Sequence, residues 1–402
     1  MVLSPNWPVE REERVISILG STGSIGVNTL DLIQKNTERF KVEALTALSS
    51  VDLLAQQAIR SGARLAVIGE ESCYKDLKKA LAGTQTEVAA GKTALIEAAS
   101  RSSDILMAGI VGSAGLEPTL AGIRRGALVG LANKECLVCA GELMLNEISV
   151  SGAKLLPVDS EHNAIFQVFD FSNPESVEKI ILTASGGPFW SASMEQMKMA
   201  SPQEAIAHPN WKMGSKISVD SATMMNKGLE IIEAHYLFSL EEAAIEVVVH
   251  PESIVHSLVA YVDGSLLAQM GKPDMRIPIA SILNWPQRLA WNSPKLDLAD
   301  IGKLTFFDPD VIRFPAINLA REALRAGGCL PTILNASNEI AVNAFLAKKI
   351  GFLDITRFVE AMMERLSHLR ISDLEDVFAV DLEVRQKAKE ILRSEKHMFW
   401  GS

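Results

Sequence analysis

Val15-Ile16-Ser17-Ile18-Leu19-Gly20-Ser21-Thr22-Gly23-Ser24-Ile25-Gly26 decides the fold. Five residues, mostly apolar, read as a buried strand. A G-x-x-G-x-x-G turn follows, and then a helix predicted over 26–35. Such glycines permit a tight turn and a close backbone approach to a pyrophosphate seated on the helix N-terminus. A glycine pattern alone is weak, and a plain turn is the bland alternative. The context strengthens it. Apolar runs at 42–48, 65–68, 105–108 and 127–131 are separated by helix-length segments. Strands in that rhythm imply βαβ units and a parallel sheet.

The rest of the chain bounds the function. Its 402 residues fit two or three domains. The hydrophobic fraction is 48% and the charged fraction 22%, enough for full cores. A net charge of −10 speaks against a nucleic-acid partner, so an anionic substrate needs a local basic pocket. No run of about 18 apolar residues occurs, so no membrane span is expected. Residues 1–14 lack an apolar signal region and read as a flexible leader. Cys136 and Cys139 form a C-x-x-C, open to a redox or zinc reading. Without a second such pair or a close His pair, two buried small hydrophobes fit better, in a reducing cytoplasm.

Two constellations carry chemistry. Asp159 and Glu161 stand two apart after the apolar run 155–158. On a strand they would share a face, where a hard divalent ion such as Mg²⁺ or Mn²⁺ would offset their repulsion. A solvated surface pair is the plain alternative, and the apolar flanks argue against it. The second is 216–230, read as a strand-like segment running into a helix that Asp220 or Ser221 caps. Met225, Leu229, Ile232 and Tyr236 make its apolar stripe. Asn226, Lys227 and Glu230 share a polar sector of roughly 100°. With Ser221 they suit a phosphate, and Glu230 reads as a third metal ligand. An ordinary surface Lys–Glu pair is the competing account.

Elsewhere 180–184, 246–250, 257–261 and 265–270 read as strands, with a hairpin turn at Asp263-Gly264. The polar stretch 187–213, bracketed by glycines, reads as a mobile lid carrying His208 and Trp211. Helices are predicted at 316–326, 335–348, 355–366 and 381–393. The expected class is α/β: an N-terminal Rossmann-like dinucleotide-binding domain (15–150), a central α+β catalytic domain with a mobile loop (151–290), a linker (291–315) and a C-terminal α-helical domain (316–402).

The motifs GSTGSIG (20–26), LANKE (131–135), LPVDSEHNAIFQ (156–167), ASGGPF (184–189), HPNWKMG (208–214), KISVDSATMMNKGLEIIEA (216–234) and AQMGKPDMRIPIA (268–280) resemble the 1-deoxy-D-xylulose 5-phosphate reductoisomerase family. The resemblance implies an NADPH-dependent enzyme needing Mg²⁺ or Mn²⁺, which rearranges and reduces a ketose phosphate to 2-C-methyl-D-erythritol 4-phosphate. By matching motifs, Thr22, Gly23, Ser24, Ile25, Asn133, Glu135 and Gly214 would hold the cofactor. Asp159, Glu161 and Glu230 would hold the metal, and Lys134 and Ser160 would meet the reacting part of the substrate. Ser185, His208, Ser221, Asn226 and Lys227 would grip its phosphate. The resemblance also implies a homodimer. One place departs from the family: after the second strand stands Leu48-Ser49-Ser50, where a glycine, a basic or polar residue and an asparagine are usual. Ser49 and Ser50 offer hydroxyls to the cofactor's 2′-phosphate but no cation. Two rivals are a thioester-forming dehydrogenase using Cys136 or Cys139, and a non-catalytic nucleotide sensor.

Overall fold

The computed structural model describes residues 13–211 and 213–394, in two compact units. The first takes in the described chain up to Cys136, with 144–166 and 274–295. Its centre is a seven-stranded parallel sheet of β1 (Arg14–Leu19), β2 (Phe40–Ala47), β3 (Leu65–Ile68), β4 (Glu87–Ala90), β5 (Ile105–Ala108), β6 (Leu128–Leu131) and β7 (Lys154–Pro157). The order is β4-β3-β2-β1-β5-β6-β7. β1, β3, β5 and β6 are apolar runs because helices cover both faces of a parallel sheet. The order reverses beside β1, and in such sheets a ligand binds beyond the strand ends at that reversal.

Three readings need correction here. The first helix is Ser24–Gln34, two residues earlier than predicted, because extended Gly23 already serves as its N-cap. β1 begins at Arg14, which the leader reading had claimed. Its buried guanidinium donates to Leu283 O at 3.1 Å and Trp285 O at 2.8 Å. Residues 1–12 of the leader lie outside the described residues. β4 and the helix Arg276–Leu283 went unread. β4 is a half-exposed edge strand with no apolar run. The helix hides behind Pro278, which its first turn tolerates.

The second unit comprises 137–143, 167–273 and the described chain from Leu296. It holds a mixed sheet of β8 (Val177–Ala184), β9 (Ile245–Val249), β10 (Val255–Tyr261) and β11 (Leu266–Met270), ordered β11-β10-β8-β9. β8 and β9 run parallel, and the helix Met225–Phe238 lies in the connection between them. After the short helix Leu298–Ile301 come four longer ones: Ala316–Ala326, Leu330–Leu346, Asp354–Leu366 and Leu374–Ser394. The second starts five residues before the predicted one. Pro331 sits in its first turn, where a missing N–H costs nothing. The last starts seven residues early. Its Arg385 pairs with Asp381 at 2.7 Å and Glu339 at 2.8 Å.

Candidate active site

In the first unit the glycine turn is built by necessity. Gly20 has φ +77°, and a Cβ there would stand 2.7 Å from Gly109 O. At Gly26 a Cβ would overlap the Ser21 backbone. Gly20 N donates to Thr46 Oγ1 at 2.9 Å, and Ser21 Oγ to Gln57 Oε1 at 2.8 Å, so neighbouring elements set the loop. Thr22, Gly23, Ser24 and Ile25 remain wholly or partly exposed. Gly23 caps the helix they open with no side-chain hydrogen bond, which suits a helix N-terminus that receives an anion. Asn133 is buried, and its Nδ2 donates to Ile110 O at 2.5 Å and Gly112 O at 2.9 Å. Its Oδ1 is buried with no partner among the described residues, an acceptor that suits a cofactor hydroxyl or amide. Glu135 beside it is buried too. Ser49 and Ser50 are exposed at the start of the helix Val51–Ser61, with Asp52 in its first turn and Leu48 69% exposed.

The carboxylate pair does not lie on a strand. β7 ends at Pro157, and Ser160 opens the helix Ser160–Val168. Asp159 Oδ1 accepts the Ser160 N–H at 3.0 Å, and Ser160 Oγ donates to Glu161 Oε2 at 2.6 Å. The helix N-terminus and Lys134, which forms an ion pair with Asp159, offset the two negative charges. Lys134 is buried. Fully buried His162 was passed over in the sequence, although it stands one helical turn beyond Asp159. Its Nδ1 is 3.8 Å from Asp159 Oδ2. Aspartate and glutamate oxygens are the donors Mg²⁺ and Mn²⁺ take.

The second unit holds the other cluster. Residues 215–222 form a helix, not the strand-like segment expected. The next helix is preceded by Met224 at φ +63°, so neither Asp220 nor Ser221 caps it. Asp220 is instead buried, paired with Lys216 at 2.9 Å and bonded by Asn338 Nδ2 at 2.8 Å. Lys227 and Glu230 are no surface pair: they are 3% and 0% exposed and in direct ionic contact. Asn226 Nδ2 donates to the other Glu230 oxygen at 2.5 Å. Six residues further along the same helix, burial pushes the Tyr236 hydroxyl up to about 12.

Ser185 follows β8. Gly187, at φ +65°, passes so close to Ser221 and Ala222 that a Cβ would stand 2.8 Å from Ser221 O. That approach draws the Ser185 turn towards Ser221. His208 Nδ1 accepts the backbone N–H groups of Asn210 at 3.2 Å and Trp211 at 3.0 Å. The ring proton therefore sits on Nε2, which donates to Ser185 Oγ at 2.7 Å. Gly187 N also donates to that oxygen, at 3.2 Å. With both acceptor positions taken, the Ser185 proton is left to donate to an anion. Gly214 caps the helix Ser215–Ala222 with open space around its Cα.

The lid reading was drawn too wide. Much of 187–213 is built structure: helices Met194–Lys198 and Pro202–Ile206 each carry a capping box, Ser193 with Gln196 and Ser201 with Glu204. Phe189, Met197 and Ala205 are buried. The stretch without helix begins at Ala207. Trp211 in it is half-buried, its ring 6.1 Å from that of His256. Cys136 and Cys139 are free thiols, 1% and 7% exposed, so the thioester rival has no accessible nucleophile. Cys139 is packed in place: its O accepts Thr332 Oγ1 at 3.2 Å and its Sγ meets Asn335 Nδ2 at 3.6 Å.

A glycine turn suited to a pyrophosphate and a hard-donor carboxylate pair in the first unit, and an anion-suited cluster of Ser, His, Asn and Lys in the second, fit the class of nucleotide-dependent α/β oxidoreductases. Comparison with known proteins narrows the class. The family model for 1-deoxy-D-xylulose 5-phosphate reductoisomerase matches residues 16–141, and those for its C-terminal domains match 155–238 and 270–387. The reductoisomerase of Rhodospirillum centenum is 57% identical over 379 residues, 94% of each chain. The solved Zymomonas mobilis reductoisomerase, in complex with NADPH, has 52% identity and a TM-score of 0.90, over 95% of this chain and 100% of that one. A further solved reductoisomerase, holding NADPH, fosmidomycin and magnesium, has 43% identity and a TM-score of 0.92, over 96% and 99%. The chain belongs to the 1-deoxy-D-xylulose 5-phosphate reductoisomerase family.

Proposed function

We propose that this enzyme converts 1-deoxy-D-xylulose 5-phosphate to 2-C-methyl-D-erythritol 4-phosphate with NADPH and Mg²⁺ or Mn²⁺, a step of non-mevalonate isoprenoid precursor synthesis. The observation that carries the reading is the relative that matches nearly the whole chain and holds NADPH, fosmidomycin and magnesium together. In this reading 15–150 bind the cofactor, 151–290 carry the chemistry, and 316–402 form the helical domain beyond the 291–315 linker. Thr22, Gly23, Ser24 and Ile25 hold the cofactor, helped by Asn133, Glu135 and Gly214. Ser185, His208, Ser221, Asn226 and Lys227 hold the substrate phosphate. Asp159, Glu161 and Glu230 hold the ion.

A bound divalent ion supplies Lewis acidity at the ketose oxygens, and NADPH supplies the hydride for the reductive half. The chain's residues do the rest. Lys134 balances Asp159 and offsets charge that develops on substrate oxygens as the carbon skeleton shifts. The Ser160 hydroxyl, now on Glu161, can turn to the same oxygens. Trp211 covers the reacting carbons and excludes water. Trp211→Leu is expected to lower kcat/KM by about tenfold and leave the melting temperature nearly unchanged, because the side chain is not in the core. A fall of many degrees would show a packing role instead.

We also propose a homodimer in the cytoplasm. Edge strand β11 exposes Leu266 and Leu267, apolar surface that a second copy would cover. The four cysteines are free thiols, as in a reducing compartment. Among the described residues no helix is long and apolar enough to cross a membrane. The deciding assay follows NADPH loss with the ketose phosphate. EDTA should stop it and Mg²⁺ or Mn²⁺ restore it; no turnover with either metal overturns the reading. In the same assay the preference for NADPH over NADH should stay below about a thousandfold, some 4 kcal/mol. Around the 2′-phosphate the chain offers Ser49 and Ser50 hydroxyls beside acidic Asp52. A larger preference would mean a cation reaches the site from elsewhere.

A further inference from the structure

The reaction gives Asn210 no role, yet its side chain is held firmly. Its Nδ2 donates to Pro251 O at 2.6 Å and to Ser253 Oγ at 2.9 Å. Pro251 O can only accept, which settles the orientation of the amide. The receiving turn is stiff. His250 N donates to Ala184 O at 2.7 Å, and Ser253 N to His250 O at 3.1 Å. Ser253 stands at φ +52°, a left-handed conformation that costs a serine energy and persists where neighbours enforce it. His250 enforces it from within. Its Nε2 accepts the N–H groups of Ile254 and Val255, both at 3.1 Å, while Nδ1 donates to Thr305 O at 2.8 Å. The turn is thus fixed to Ala184, the residue before Ser185.

From Asn210 the connection returns to the substrate side. Its backbone N–H, with that of Trp211, goes to His208 Nδ1, and His208 Nε2 holds Ser185. Two turns, 208–211 and 250–253, are therefore joined by one amide, and they end on neighbouring residues, Ser185 and Ala184. We propose that Asn210 is a positioning residue: it docks the 208–211 turn and so fixes the His208 ring and Trp211 for the substrate. Asn210 is itself exposed, so its hydrogen bonds add little to global stability; their effect is local order where the substrate binds.

The inference rests on the substrate reading above, and wild-type turnover of the ketose phosphate, measured alongside, tells the two apart. Asn210→Ala is expected to lower kcat/KM for the ketose phosphate by about tenfold, mostly through KM, with KM for NADPH and the melting temperature unchanged. Asn210→Asp keeps the shape but offers Pro251 O no donor, and should fall at least as far. In a His208→Ala background, Asn210→Ala should add clearly less than it does alone, because part of its effect passes through His208. Wild-type kinetics in Asn210→Ala, an effect that multiplies undiminished in the double variant, or a drop in melting temperature alone would each overturn the proposal.

Discussion

Glu230→Gln is expected to lower kcat by about a thousandfold, roughly 4 kcal/mol, and to destabilise the enzyme as well. Read from sequence, the substitution leaves the fold intact and weakens only a metal ligand, since an amide is a poorer donor to a hard cation. The structure adds a second cost. Glu230 is fully buried and carries the counter-charge of buried Lys227. Neutralising it takes from a buried ammonium the charge it contacts, a loss on the order of 3–5 kcal/mol. Melting temperature and kcat should fall together. Adding Lys227→Met should restore much of the first and none of the second. Metal affinity measured by calorimetry on that double variant is the decisive number: wild-type affinity would remove Glu230 from the metal site.

Lys227→Ala should lower kcat/KM for the ketose phosphate by about a hundredfold, near 3 kcal/mol, in line with losing a desolvated charge on phosphate. An unphosphorylated analogue should suffer far less. The contact with Glu230 complicates the reading, since the variant also removes the cation from a buried carboxylate that then keeps its bond from Asn226. Saturating Mg²⁺ meets this, because a bound cation would take up that negative charge. If both substrates lose equally under those conditions, Lys227 acts through Glu230 and not on phosphate.

The sequence showed the site's chemistry better than its geometry. Asp159, Glu161, Lys227 and Glu230 stand out in the sequence as candidates because hard donors and cations beside apolar runs are uncommon without a task. Their setting was not. The D-x-E pair was assigned to a strand because local pattern cannot say where β7 stops, and Pro157 ends it two residues before Asp159. Residues 216–219 alternate like a strand, yet helix wins because Val219 and Asp220 are buried by tertiary packing, Asp220 against Asn338, 118 residues on. The polar texture of 191–206 resembled a lid. Two capping boxes, each a local signal, were there to be read and would have marked its helices.

What the sequence determined by itself is what depends on neighbours along the chain. Gly20 and Gly26 specify the turn that a pyrophosphate needs, apolar runs specify buried parallel strands, and Asp263-Gly264 specifies the β10–β11 hairpin. Tertiary structure decided what depends on distant partners. It buried Lys134 against Asp159 and turned a Lys–Glu pair from a surface ornament into a charge compensation. It also fixed the proton of His208 on Nε2 and set Asn210 on a turn forty residues further along. Burial and hydrogen-bond partners set charge state, tautomer and orientation, and none of these is encoded in a window of local sequence.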